Sequence, residues 1–187
     1  MGFALAEHIA NLGGFVHLVC GPSSLEISHQ NINVVNVVSA EEMYIEASNI
    51  FPKADITILS AAVADYTPVQ KSREKIKKKD GNFSIELQAT KDIAFELGKL
   101  KRKNQVLVGF ALETQNEVEN AKKKMIKKNV VIIVLNSLKD NGAGFKHDTN
   151  KISIISKNNK ILNYKLKHKK EVAKDIVDRI VDYVEFQ

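Results

Sequence analysis

The sequence predicts an α/β fold built on a mainly parallel sheet flanked by helices. Three observations carry that prediction. Short apolar, β-branched runs alternate with segments whose apolar residues recur at helical spacing. The runs are continuous rather than alternating, as in strands covered on both faces. The chain has 187 residues, 44% hydrophobic and 27% charged, which suits a single domain over 1–187 with one substantial core.

Leu5, Ile9 and Leu12 lie at i, i+4 and i+7, and Gly13-Gly14 then stops the helix before the apolar strand Phe15–Cys20. Val34–Val38 is a second strand. Ser39 precedes Glu42 by three residues, a capping-box signature for a helix through about Asn49. Pro52 ends it, and Ile56–Ala62 is a buried strand. The alternation resumes with Phe83–Leu87 (strand), Asp92–Leu100 (helix), Val106–Leu112 (strand), Asn116–Lys128 (helix) and Val130–Leu135 (strand). Such alternation indicates a Rossmann-like parallel sheet, because each parallel crossover needs its helix. Lys151–Ser156 and Ile161–Lys165 flank Lys157-Asn158-Asn159-Lys160 as a β-hairpin over about 151–165. Val172, Ile176, Ile180 and Val184 mark a closing helix over Glu171–Val184.

Two connections exceed the usual length of about 4–6 residues, and long connections often carry function. Tyr66–Asp80 is a lysine-rich arm, and Ser137–Asn150 is rich in Gly, Asn and Asp. The apolar runs are strand-sized, which excludes a transmembrane helix. Met1–Ala6 lacks the basic start of a secretory signal. The single cysteine, Cys20, excludes a disulfide framework and points to a reducing cytoplasm. No histidine has a partner at ligand spacing, so a histidine metal site is not expected. The formal charge of +6 calls for an anionic partner.

The sharpest stretch is Ser60-Ala61-Ala62-Val63-Ala64-Asp65-Tyr66, followed by Glu74-Lys75-Ile76-Lys77-Lys78. Small residues at the C-terminal end of a parallel strand let a ligand approach the backbone, and ligands of open α/β sheets bind at that edge. Asp65 is placed to hold a divalent cation against phosphates, and Lys75 to reach a triphosphate from the arm. A tight strand exit beside a solvated charge run has the same pattern, and the residues alone leave both readings open.

These residues resemble bacterial phosphopantothenoylcysteine synthetase, the CTP-dependent ligase of coenzyme A biosynthesis. Collinear motifs extend the resemblance over nearly the whole chain: Met1-Gly2-Phe3-Ala4-Leu5-Ala6, Gly21-Pro22, Ala40-Glu41-Glu42-Met43, Gly109-Phe110-Ala111-Leu112-Glu113-Thr114 and Lys128-Asn129. The resemblance implies condensation of 4'-phosphopantothenate with L-cysteine through an acyl-cytidylate, CTP becoming CMP and pyrophosphate. It implies Mg2+ with the triphosphate, and a homodimer touching near Ala61–Val63. The decarboxylase domain of bifunctional family members has no counterpart in these residues, so no flavin is expected.

By position, the resemblance assigns Leu59, Ser60 and Ala61 to the nucleotide through their backbone, Asp65 to the triphosphate through the cation, and Lys75 to transition-state stabilisation. Lys77, Lys78 and Lys79 steer anions. Lys91, Asp92, Ile93 and Ala94 match a nucleotide-contacting turn that in the family begins with proline, where this chain has Lys91. Asp92 also reads as a helix N-cap. Phe110 would lie against the nucleotide. Lys124 and Lys128, four apart and so on one helix face, would meet the base or ribose end of CTP. Asn136 matches a family asparagine followed by aspartate, whereas Ser137 follows here; Gly142-Ala143-Gly144-Phe145 matches a loop that shapes the rim. The family's Gly-Gly-Thr turn and Asn-x-Ser-Ser-Gly segment lie upstream of its Met-Gly. The chain opens on the helix that follows them, and an intact ligase is expected where that segment is present.

Two other functions remain open to the residues alone. A nucleotide-dependent oxidoreductase on a similar sheet would show a Gly-x-Gly-x-x-Gly turn, and none is visible. A nucleic-acid-binding module would interleave aromatic residues with its basic ones, and Lys71–Lys79 and Lys122–Lys128 contain none, so neither nucleic acid nor membrane is expected as a partner. Each of those two segments carries a local balance of +5, so together they exceed the net charge of the whole chain.

Overall fold

The computed structural model describes residues 1–70, 72, 74–78, 81–113, 115–137 and 147–185. Its elements, in chain order, are α1 (Gly2–Asn11), β1 (Val16–Cys20), β2 (Ile32–Asn36), α2 (Ala40–Ile50), β3 (Ile56–Leu59), β4 (Tyr66–Pro68), β5 (Leu87–Ala89), α3 (Ile93–Leu100), β6 (Val106–Glu113), α4 (Glu117–Lys127), β7 (Ile132–Ser137), β8 (Thr149–Asn150), β9 (Ile152–Ser156), β10 (Ile161–Asn163), β11 (Lys167–His168) and α5 (Lys169–Glu185). A short 3-10 turn, Phe51–Lys53, follows α2.

The central sheet has five strands in the order β10-β9-β7-β6-β3. The strands β3, β6 and β7 run parallel, while β9 and β10 add antiparallel to β7. The expected mainly parallel sheet and C-terminal hairpin are therefore present. The β1 and β2 strands pair in parallel as a separate two-stranded sheet, and β4-β5 and β8-β11 form two further, antiparallel pairs.

Strand alternation divides the core into two layers. Val106 and Val108 of β6 face α1 and α5, packing with Leu5, Val134, Ile154, Val172, Ile176 and Ile180. Leu107 and Ala111 face α3 and α4, packing with Ile93, Leu97, Ala121, Met125 and Ile133. Burying the helical stripes on opposite faces of one sheet is what makes the fold three-layered.

Local signals account for the helix ends. The Ser39 hydroxyl accepts from Glu42 N–H at 3.2 Å, and the Glu42 carboxylate accepts from Val38 N–H at 2.8 Å, close to the capping box expected. The end of α4 is a Schellman motif: Val130 N–H reaches the Met125 carbonyl, Asn129 N–H reaches that of Ile126, and Asn129 is left-handed with φ 49°.

Several expected boundaries shift. The third strand stops at Leu59, and Ser60–Ala64 is irregular rather than strand. The expected strand Phe83–Leu87 moves to Leu87–Ala89, which pairs antiparallel with Tyr66–Pro68; Phe83 and Ile85 have no sheet partner and stay exposed. The arm is thus based on a two-stranded ribbon whose return limb extends beyond residue 80. The second strand starts earlier than expected, because Ile32 and Asn33 find partners on β1 while Val38, at 76% exposure, lies beyond the pairing. Leu12 follows α1 as its C-cap and is exposed, since the glycines turn the chain away there.

Candidate nucleotide site

The C-terminal ends of β3 and β6 supply the centre of the site. The chain leaves β3 at Leu59 through the small Ser60 and Ala61, and the N-terminus of α1 comes close there: a Cβ built on Gly2 would stand 3.1 Å from Ser60 Oγ. Leu59 packs on the α3/α4 layer. Phe110, half-buried, packs with the α1/α5 layer. Leu59 and Phe110 thus pack in different layers, with Phe110 three residues before the end of β6.

The base of the arm is fastened to the turn before α3. Thr90 N–H donates to the Asp65 carbonyl oxygen at 2.9 Å, and Thr90 Oγ1 donates to that of Ala64 at 2.6 Å. This links Asp65 to the Lys91-Asp92 segment. Asp65 is exposed, with no hydrogen bond or ion pair to its carboxylate among the described residues. No group of three or more His, Cys, Asp or Glu side chains that could hold a metal occurs among the described residues. A lone free carboxylate fits magnesium as it is usually bound, by one or two carboxylates with substrate phosphates completing the shell.

Asp92 is the N-cap of α3, accepting from Phe95 N–H at 3.1 Å. It also pairs with Lys128 at 2.9 Å, so the cap reading holds and two of the expected site residues touch. Burial opposes the Asp92 charge, but Lys128 and the Phe95 N–H together hold its carboxyl below the usual aspartate range. Ile93 begins the helix and is buried, with Ala94 half-buried beside it. Lys91 pairs with Glu41 of α2 at 3.0 Å and lies 4.3 Å from the Tyr44 ring centroid. The Glu41 hydrogen bond raises the Lys91 pKa.

One turn before Lys128 on α4, Lys124 stands 2.6 Å from Glu113, the last residue of β6. Ala121 and Met125 sink α4 into the core, and Lys124 and Lys128 lie along the edge of that buried stripe, from which they reach Glu113 and Asp92. The three cations Lys91, Lys124 and Lys128 thus each face a carboxylate in the ligand-free protein. Lys75 is exposed, with no hydrogen bond or ion pair among the described residues, as are Lys77 and Lys78. Lys79, Thr114 and the loop Gly142–Phe145 lie outside the described residues. Asn136 accepts from Asn150 Nδ2 at 3.2 Å, tying the end of β7 to β8.

Sequence reasoning missed four contributors: Glu41 and Glu113 as carboxylate partners, Thr90 as the clasp of the arm, and Gly98. The carbonyl of Lys128 crosses α3 at Gly98 so closely that a Cβ there would lie 2.0 Å from its oxygen. Asn129 Nδ2 donates to the Gly98 carbonyl at 2.9 Å in the same crossing. A glycine inside a helical pattern was the available signal.

The family model described as DNA/pantothenate metabolism flavoprotein C-terminal domain matches residues 1–184. The chain is 54% identical over 184 residues to a protein named Cysteine/Cysteine sulfinic acid decarboxylase from an unknown prokaryotic organism, covering 98% of this chain and 51% of that protein. It is 42% identical over 180 residues to the Coenzyme A biosynthesis bifunctional protein CoaBC of Bacillus subtilis (strain 168), covering 96% of this chain and 44% of the relative. The chain therefore spans about half the length of these relatives. It superimposes on the crystal structure of the C-terminal domain of a Coenzyme A biosynthesis bifunctional protein CoaBC with a TM-score of 0.82, at 35% identity, covering 99% of this chain and 82% of that one.

Proposed function

The chain belongs to the DNA/pantothenate metabolism flavoprotein C-terminal domain family, and we propose that it is the ligase unit that joins 4'-phosphopantothenate to L-cysteine in coenzyme A biosynthesis, using CTP. The observation that carries this reading is the set of cations gathered around the end of a parallel sheet, in a chain similar throughout its length to the C-terminal domain of CoaBC.

The reaction runs in two steps. A carboxylate oxygen of phosphopantothenate attacks the α-phosphorus of CTP; the acyl phosphate bond forms as the α–β anhydride bond breaks, and pyrophosphate leaves. The cysteine amine then attacks the activated carbonyl, forming the amide and losing a proton as CMP departs with the bonding electron pair. Both steps concentrate negative charge, so catalysis demands placement and neutralisation of anions rather than a protein nucleophile.

In this reading the backbone of Leu59–Ala61 receives the nucleotide, and Phe110 supplies an apolar wall. Lys75 carries an uncommitted charge on the arm and meets the triphosphate. A magnesium ion held by Asp65 and the phosphates would offset further negative charge. Lys91, Asp92, Ile93 and Ala94 border the nucleotide, and Lys124 and Lys128 approach its nucleoside end. The exposed Phe83, Ile85 and Leu87, at 64%, 59% and 54%, give the arm an apolar row suited to a second copy, which supports a homodimer. No helix among the described residues is long and apolar enough to cross a membrane, in keeping with a cytoplasmic ligase.

Pyrophosphate release by the full-length protein tests the proposal. It should require CTP, phosphopantothenate and cysteine together, and Lys75→Met should lower the rate of pyrophosphate release at saturating substrates. Release that does not depend on the acid overturns the ligase reading. Carbon dioxide release from cysteine without nucleotide would instead favour the activity named for the 54%-identical relative.

A further inference from the structure

Glu113 closes β6 with its side chain only 12% exposed, and its Oε1 is buried without a hydrogen-bond partner among the described residues. Lys124 Nζ stands 2.6 Å from that oxygen. The ion pair compensates a carboxylate whose Oε1 is shielded from water. A buried carboxylate left without its cation is strongly unfavourable. Lys124 is the more exposed partner, at 45%, so its ammonium can keep this contact and still direct N–H donors outward.

We propose that Glu113 is a positioning residue that keeps Lys124 as half of a neutral pair. Lys124 then donates hydrogen bonds to the nucleoside part of the bound nucleotide instead of giving its charge to the triphosphate. The inference rests on the nucleotide-binding reading above and divides the lysines by their partners. Lys124 and Lys128, one turn apart, are matched by Glu113 and Asp92, whereas Lys75 has no matching carboxylate among the described residues. A matched cation adds little net field at the phosphates but keeps its directional donors; an unmatched one contributes its full charge.

Calorimetric titration with CTP, and separately with inorganic tripolyphosphate, distinguishes these roles. Glu113→Gln preserves shape and removes the charge. It should weaken CTP binding about tenfold, within the range of coupling between touching residues, and leave tripolyphosphate binding unchanged. Lys124→Met should give the same pattern, the two substitutions together should cost no more than either alone, and Glu113→Asp should recover part of the loss. Thermal melts confirm that each variant is folded. Unchanged or tighter CTP binding by Glu113→Gln overturns the inference, as does an equal loss for both ligands. If wild-type protein fails to bind CTP, the nucleotide reading itself falls and this inference falls with it; CTP binding that Lys124→Met weakens and Glu113→Gln does not removes this inference alone.

Discussion

Replacing Gly98 by alanine adds one methyl group where α3 crosses the end of α4. The new Cβ would stand 2.0 Å from the Lys128 carbonyl oxygen and 2.8 Å from its carbon. A carbon–oxygen contact without clash needs about 3.3 Å, so the crossing must open by about 1.3 Å. The obstruction is backbone rather than the tip of a flexible side chain, so it cannot be relieved by a rotamer change. Overpacking of this kind costs about 1–3 kcal/mol. Weakening the 2.9 Å hydrogen bond from Asn129 to the Gly98 carbonyl adds about 1 kcal/mol. The better helix propensity of alanine returns about 1 kcal/mol. The expected net loss is about 2 kcal/mol, or a Tm lowered by about 4–8 °C for a chain of this size. Because Lys128 and Asp92 belong to the two segments pushed apart, CTP affinity should fall as well. Urea unfolding gives the stability and calorimetry the affinity. A Tm equal to or above wild type would refute the reasoning, showing that the crossing has slack and propensity dominates.

The Asp92 carboxyl is held below its ordinary range in the folded chain, so the stability it contributes is fully present above the unfolded aspartate pKa of about 3.9 and is lost as pH falls through the lower folded value. Asp92→Asn should flatten the acid limb of a stability–pH profile below about pH 4; an unchanged limb would contradict this assignment. Ser39→Ala removes the acceptor for Glu42 N–H and should cost about 1 kcal/mol of unfolding free energy, whereas Ser39→Asp should cost much less; equal losses would refute the cap.

Much of the architecture was legible because its signals are local. The capping serine, the Gly13-Gly14 stop, and the apolar runs of β6, β7 and β9 each act within a few residues of where they are read. The Phe83–Leu87 strand was misplaced because its alternating Phe83, Ile85 and Leu87 mimic a buried strand, whereas the pairing partner Tyr66–Pro68 is available only to Leu87–Ala89. The end of β3 was overestimated because the small residues that continue the apolar run, Ser60–Ala64, leave the sheet where β6 no longer pairs with them. Among the site residues, the α4 lysines were legible as one helix face, but their carboxylate partners were not.

The sequence by itself determined the class of fold, the order of its elements, the shared face of Lys124 and Lys128, and, through collinear motifs, the family resemblance. Tertiary structure decided that the lysines of that face are matched by Asp92 and Glu113, that Lys91 turns to Glu41, and that Phe110 packs on the face of the sheet opposite α4. Periodicity and capping are set by neighbours along the chain, so they can be read from it. An ion pair or a helix crossing depends on distances between segments remote in sequence, and those distances are fixed only when both layers close on the sheet.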